Sequence, residues 1–158
     1  MYTISLNILD LQDGYHALVD VKILEQTFKL VVDTGASKTV LDKNTLLESG
    51  IQKDQFENTD ILSSGLGTNN MQSFKLKLPY LQIGEWRKEN FEVAVLDLAT
   101  INYAYSQMGL PSVIGVLGGD ILVHYSAKID YAKETIKLNK TKKAKKLPTK
   151  KLTLNADT

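Results

Sequence analysis

The stretch LVVDTGASKTVLD, residues 30–42, constrains the fold more than any other part of the chain. Val31 and Val32 are strong strand formers, and β propensity stops at Asp33-Thr34-Gly35. Gly35 permits backbone angles closed to other residues, so a tight loop can follow the aspartate. Val40 and Leu41 then return the chain to apolar surroundings. A fold built on this stretch carries a carboxylate on a short loop anchored by strands on both sides, as a rigidly held reactive group requires. Taken alone, Asp-Thr-Gly reads first as a surface turn, because Asp and Gly favour turns generally.

The rest of the sequence supplies strands for such a loop to join. Short runs with β-branched residues and partial alternation fall at 16–24, 27–32, 58–63, 72–78, 91–98, 127–131 and 135–138. Turn signals separate them at Leu24-Glu25-Gln26, Gly65-Leu66-Gly67, Ile83-Gly84-Glu85 and Ala132-Lys133-Glu134. Short strands at this spacing favour a barrel or sandwich over a parallel sheet. Residues 43–49, 99–108 and 119–125 are the helical candidates. The chain has 158 residues, with 43% hydrophobic and 23% charged, which suits one domain with a modest core. No internal repeat and no second-domain linker interrupts it.

Several chemistries are poorly supported. The chain has no cysteine, hence no disulfide or thiolate metal site. His16 and His124 are far apart and show no metal-ligand pattern, so no metal is expected. Gly65-Leu66-Gly67 and Gly118-Gly119 lack the lysine and spacing of a phosphate loop. A Gly-x-Ser-x-Gly elbow is absent. No apolar run approaches a membrane span, and no signal-peptide pattern follows Met1. Together with the lack of cysteine, this sets a cytoplasmic expectation and no membrane partner.

The net charge of +1 conceals an asymmetry: 12 basic residues stand against 17 acidic ones up to Asn139. Lysines then occupy positions 140, 142, 143, 145, 146, 150 and 151 with no acid among them. Residues 140–158 are therefore read as a flexible, solvated tail following a domain of residues 1–139. Nucleic-acid binding is not expected, because the tail offers no aromatic side chain for bases to stack on.

Two segments together carry a resemblance. Leu30-Val31-Val32-Asp33-Thr34-Gly35-Ala36-Ser37, with Val40-Leu41 after it, resembles the active-site loop of the aspartic proteases. About 80 residues further on, VIGVLGGDILVHYSAKIDYAKETIKL (113–138) resembles the family's second signature, with Val116-Leu117-Gly118 leading into a short helix and a hairpin. Between them, residues 60–76 can form a glycine-tipped hairpin in the flap position. The resemblance covers about residues 16 to 138 and points to the retropepsin-like, single-lobe branch of clan AA. It implies an all-β, single-lobe, acid-protease-like closed β-barrel with one or two short helices and a flap hairpin.

It also implies an activity and a site. Hydrolysis of a peptide bond by carboxylates needs a base to activate water and an acid to protonate the carbonyl or the leaving nitrogen. Aspartic proteases are the standard instance, two aspartates about 3 Å apart sharing one proton. This sequence has one Asp-Thr-Gly, and about half the length of a two-lobed enzyme. The resemblance therefore implies a C2 homodimer, with the axis between two copies of Asp33.

By the family motif, Asp33 is catalytic and needs no cofactor. Thr34 bonds across the dimer axis, and Gly35 brings its amide to the carboxylate. Ser37 is a turn hydroxyl, and Gly118 packs beside the loop where a side chain would collide. Ala36 lacks the hydroxyl that pepsin-like enzymes place there to favour the ionised carboxylate. An activity maximum on the order of pH 4.5–6.5 follows, and a maximum below about pH 3 would contradict it.

Ser64, Gly65, Leu66 and Gly67 either close over an extended peptide or form a plain hairpin loop. Asp120 is read as a helix cap and Asp130 as a solvent-facing or hairpin acid. In 98–113, longer than a minimal retroviral-type enzyme needs, Tyr103, Tyr105 and Met108 are read first as core, and otherwise as a dimer contact or cleft wall. The function implied is an aspartic endopeptidase acting on peptides or proteins. The alternative is a catalytically inactive peptide-binding or oligomerisation module of the same fold.

Overall fold

A computed structural model describes residues 1–59 and 72–144. The expected flap residues Ser64, Gly65, Leu66 and Gly67, and the lysine-rich stretch beyond residue 144, lie outside the described residues.

The strands are Tyr2–Ser5 (β1), Asn7–Asp10 (β2), Tyr15–Ile23 (β3), Gln26–Val32 (β4), Val40–Asp42 (β5), Glu57–Thr59 (β6), Ser73–Ile83 (β7), Trp86–Leu96 (β8), Gly115–Leu117 (β9), Lys128–Asp130 (β10) and Thr135–Leu138 (β11). The α-helices are Lys43–Glu48 (α1), Ala99–Gln107 (α2) and Gly119–Leu122 (α3). Each helical candidate in the sequence contains one of them, α3 lasting a single turn. Two hairpins build most of the sheet, β3–β4 and β7–β8. Their turns fall at the predicted places, with Leu24, Glu25 and Gly84 all at positive φ.

The larger sheet runs β2-β3-β4-β9-β5-β8-β7-β6. Pairing of Lys22 in β3 with Gln82 in β7 closes strands β3, β4, β9, β5, β8 and β7 into a six-stranded barrel. A second sheet, β1-β11-β10, packs at one end, where Ile4 sits against Gly84. The barrel interior is filled by alternate residues of these strands, Val19, Val21, Ile23, Leu78, Val93 and Val95 among them. Trp86 is fully buried and meets Tyr125 edge-on at 4.9 Å between ring centroids.

Strand β9 positions the site. It runs parallel to β4 on one side and antiparallel to β5 on the other. The chain therefore leaves β4, loops over the end of β9 and returns as β5, with β9 inserted between.

Region 98–113 divides differently from the core expectation. Tyr105 of α2 is buried with Leu18 and Val113, whereas Tyr103 and Met108 are exposed. One helical face packs on the barrel and the other faces solvent, which the run of aromatics alone did not show.

Candidate active site

Asp33 follows the last residue of β4, and its amide donates to Leu117 O of β9 at 3.0 Å, extending the parallel ladder by one bond. The chain then turns sharply, with Ala36 N donating to Asp33 O at 3.2 Å. This bend folds the Gly35 amide onto the Asp33 carboxylate, N to Oδ1 2.9 Å. A Cβ at Gly35 would stand 3.3 Å from the same oxygen, so the absence of a side chain lets the amide approach freely.

The other side of the loop is locked by β9 and the start of α3. Gly119 N donates to Ala36 O at 2.8 Å, and Gly118 N donates to Thr39 Oγ1 at 3.1 Å. A Cβ at Gly118 would lie 2.4 Å from both the carbonyl carbon and the oxygen of Lys38, which forbids any other residue without movement of the loop. Gly115 is tighter still, with a Cβ position 1.9 Å from Val40 O.

Asp120 is not the N-cap of α3, which is Gly118; it sits in the first turn and ties that turn to the loop. Its Oδ1 accepts from Thr39 N at 2.9 Å, Thr39 Oγ1 at 2.7 Å and Ile121 N at 2.9 Å. Thr39 is fully buried, so these bonds satisfy groups that water cannot reach. Thr39 was not singled out in the sequence. Its only signal was a hydroxyl residue just before the apolar return, and a β-branched residue there reads equally as strand.

Three aspartates thus surround one loop in different states. Asp42 is buried, its Oδ2 accepting from Thr45 N and Oγ1 and its Oδ1 from Leu98 N at 2.8 Å. Asp120 is engaged as described. Asp33 is half-buried, and among the described residues its carboxylate accepts one hydrogen bond, from Gly35. An ionised carboxylate has about four acceptor sites. Of the three, Asp33 has the most acceptor capacity left, with one bond on Oδ1 against three on each of the others, although Asp120 Oδ2 accepts none of Asp120's three.

Thr34, Gly35 and Ser37 are exposed in the single chain, and Ala36 is half-buried. Asp130 is a hairpin acid, accepting from Lys133 N at 2.9 Å. His124 is exposed in the turn just after α3, with Nδ1 2.6 Å from Asp120 O. Among the described residues no three His, Asp or Glu side chains are grouped to hold a metal ion, and no helix is long and apolar enough to cross a membrane.

A family model described as aspartyl protease matches residues 19–121, the span from β3 through the Asp33 loop to α3. The chain belongs to the aspartyl protease family. In this aspartyl protease family member the two segments that resembled the family in sequence are those interlocked around β9. Among solved structures, a retropepsin-like aspartic protease from Rickettsia conorii is similar over 89% of this chain and 90% of that chain, with TM-score 0.54 and 22% identity. The retroviral protease-like domain of Ddi1 from Leishmania major is similar over 79% of this chain and 89% of that chain, with TM-score 0.54 and 14% identity. At such identities the likeness is one of fold, the retropepsin-like closed barrel. No curated protein matches the chain.

Proposed function

We propose that the chain is an aspartic endopeptidase whose catalytic dyad is Asp33 from each of two copies. The observation that carries this reading is the mounting of Asp33: it stands at the end of β4 on a loop interlocked with β9, and its carboxylate accepts one bond, from Gly35, where Asp42 and Asp120 each accept three from structural donors. These 158 residues carry one Asp-Thr-Gly, and in this reading the second carboxylate comes from another copy. Exposure of Thr34 and Gly35 supports this, because a second copy at the axis would cover them.

In the reaction, the ionised Asp33 takes a proton from water as its oxygen attacks the peptide carbonyl carbon. The protonated Asp33 of the second copy gives its proton to the carbonyl oxygen. As the tetrahedral intermediate collapses and the C–N bond breaks, the first Asp33 passes the proton it took from water to the leaving nitrogen, and the second Asp33 recovers its proton from the intermediate's hydroxyl. Thr34 ties the two loops together, and Gly35 and Gly118 keep each carboxylate in place.

The test combines sedimentation equilibrium with peptide-cleavage profiling of wild type and Asp33→Asn. A reversible dimer is expected, together with cleavage that falls by about a thousandfold or more in the variant, while fold and peptide affinity remain. A strict monomer at high concentration with peptide present would overturn the dyad. A wild type that binds peptide but never cleaves would identify an inactive binding module of this fold.

A further inference from the structure

A cavity of about 320 Å³ lies beside the active-site loop and is not lined by Asp33. Its lining includes Lys38 of the loop and Asp120, which tethers the loop through Thr39, together with residues of β7 and β8. Its apolar lining comes from Phe74, Phe91 and Tyr125, with Val93 and Ala94.

Its charged lining is unbalanced. Lys38, Lys88 and Lys142 contribute cations, and among the described residues none has a carboxylate within ion-pairing distance. Lys75 is paired with Glu57 at 3.3 Å. Against them stand Glu92 and Asp120, and the Asp120 carboxylate already serves three donors through Oδ1. Lys142 is brought here by the chain after β11, where Asn139 N donates to Tyr125 O at 2.8 Å and Lys143 N to His124 O at 2.6 Å. The first lysines of the basic stretch are thus seated on the barrel.

The geometry points to a binding pocket for acidic side chains of an extended peptide, held by Lys38, Lys88 and Lys142 over an aromatic floor. Apolar cavities of this size with a few convergent polar groups are typical ligand sites. Unpaired ammonium groups beside a hydrophobic wall favour a carboxylate attached to an apolar neighbour. The inference rests on the reading of a peptide as ligand and names its chemistry: a peptide carrying acidic residues beside an aromatic one, at a distance from the bond facing Asp33. The loop that carries Asp33 also carries Lys38, so one extended chain can reach both.

The test uses the full chain as Asp33→Asn, so that binding is read without cleavage. Two probes are titrated, acetyl-Phe-Glu-Glu-amide and acetyl-Phe-Gln-Gln-amide, with backbone amide chemical shifts as readout. The glutamate probe is expected to bind at least about tenfold more tightly, shifting Val93, Ala94 and Tyr125, and to weaken as salt rises. Lys38→Gln with Lys88→Gln removes that preference. Replacing Lys145, Lys146, Lys150 and Lys151 by Gln leaves it intact. Equal affinity for the two probes, preference surviving the Lys38 and Lys88 changes, or shifts confined to residues after 144 would each overturn the pocket. If the preference is found and wild type cleaves nothing, the pocket stands and the endopeptidase reading falls.

Discussion

At its start β4 leaves a two-residue turn at Leu24 and Glu25, with φ of 53° and 61°, and at its end it enters the Asp33 loop. The turn is held by side chains, the buried Tyr80 beneath it and the more exposed Glu25 and Lys22. Glu25 N donates to Tyr80 Oη at 2.9 Å, Tyr80 Oη donates back to the Glu25 carboxylate, and Lys22 pairs with Glu25 at 3.3 Å. The Asp33 loop is held instead by backbone pressed on backbone at Gly115 and Gly118, and by one carboxylate, Asp120, reaching 81 positions back. Part-buried side-chain hydrogen bonds of this kind are worth about 1 kcal/mol each. Backbone contact through glycine has no substitute, because any Cβ must displace the chain. The strand is therefore replaceable at one end and fixed at the end that carries the carboxylate.

The contrast can be broken most sharply at Gly118. Gly118→Ala is expected to cost about 3 kcal/mol or more in urea unfolding, since its Cβ would overlap the Lys38 carbonyl. A loss under about 1 kcal/mol would mean that the loop yields and the two ends are alike. Asp120→Ala comes next. It strips acceptors from buried Thr39 and should cost about 2–3 kcal/mol by the same measurement.

At the turn, Tyr80→Phe removes two hydrogen bonds and is expected to cost about 1–2 kcal/mol without altering the Asp33 loop. The smallest effect is the acid dependence of Glu25. The Tyr80 hydrogen bond, followed by Lys22, lowers its pKa from the usual carboxylate value. A lowered folded-state pKa adds stability above the unfolded value and loses it as pH falls through the folded one. The melting-temperature difference between wild type and Glu25→Gln should therefore narrow as the solution is acidified, and only slightly, because the group is fully exposed.

Much of the barrel was legible because its long hairpins are locally encoded. The β-branched runs of β3, β4, β7 and β8 and the turns between them sit where sequence placed them, although β7 and β8 extend further toward their shared turn than the runs suggested. β5 sits where the apolar return at Val40 and Leu41 was expected, whereas β9, also three residues long, carries too little pattern to be called a strand from sequence. β1 and β2 were not anticipated, since their pairing partners, β11 and β3, supply what short polar-edged segments lack. Asp120 looked like a helix cap because only the adjacent amide is visible locally. Its two bonds to Thr39 depend on a loop far back in the chain.

By itself the sequence determined that a strand ends at Asp33, that a tight turn follows it, and that a second apolar-apolar-glycine segment exists to meet it. These are consequences of propensity and steric allowance, which act over a few residues. The glycine-only backbone angles expected at Gly35 are not used there, since its φ is not positive. Only the tertiary structure decided that β9 slides between β4 and β5, that Asp42 and Asp120 each take three structural donors while Asp33 takes one, and that Lys38, Lys88 and Lys142 gather around one cavity. Closing the barrel brings together residues about 80 positions apart, and local preference carries no information about which groups will then meet.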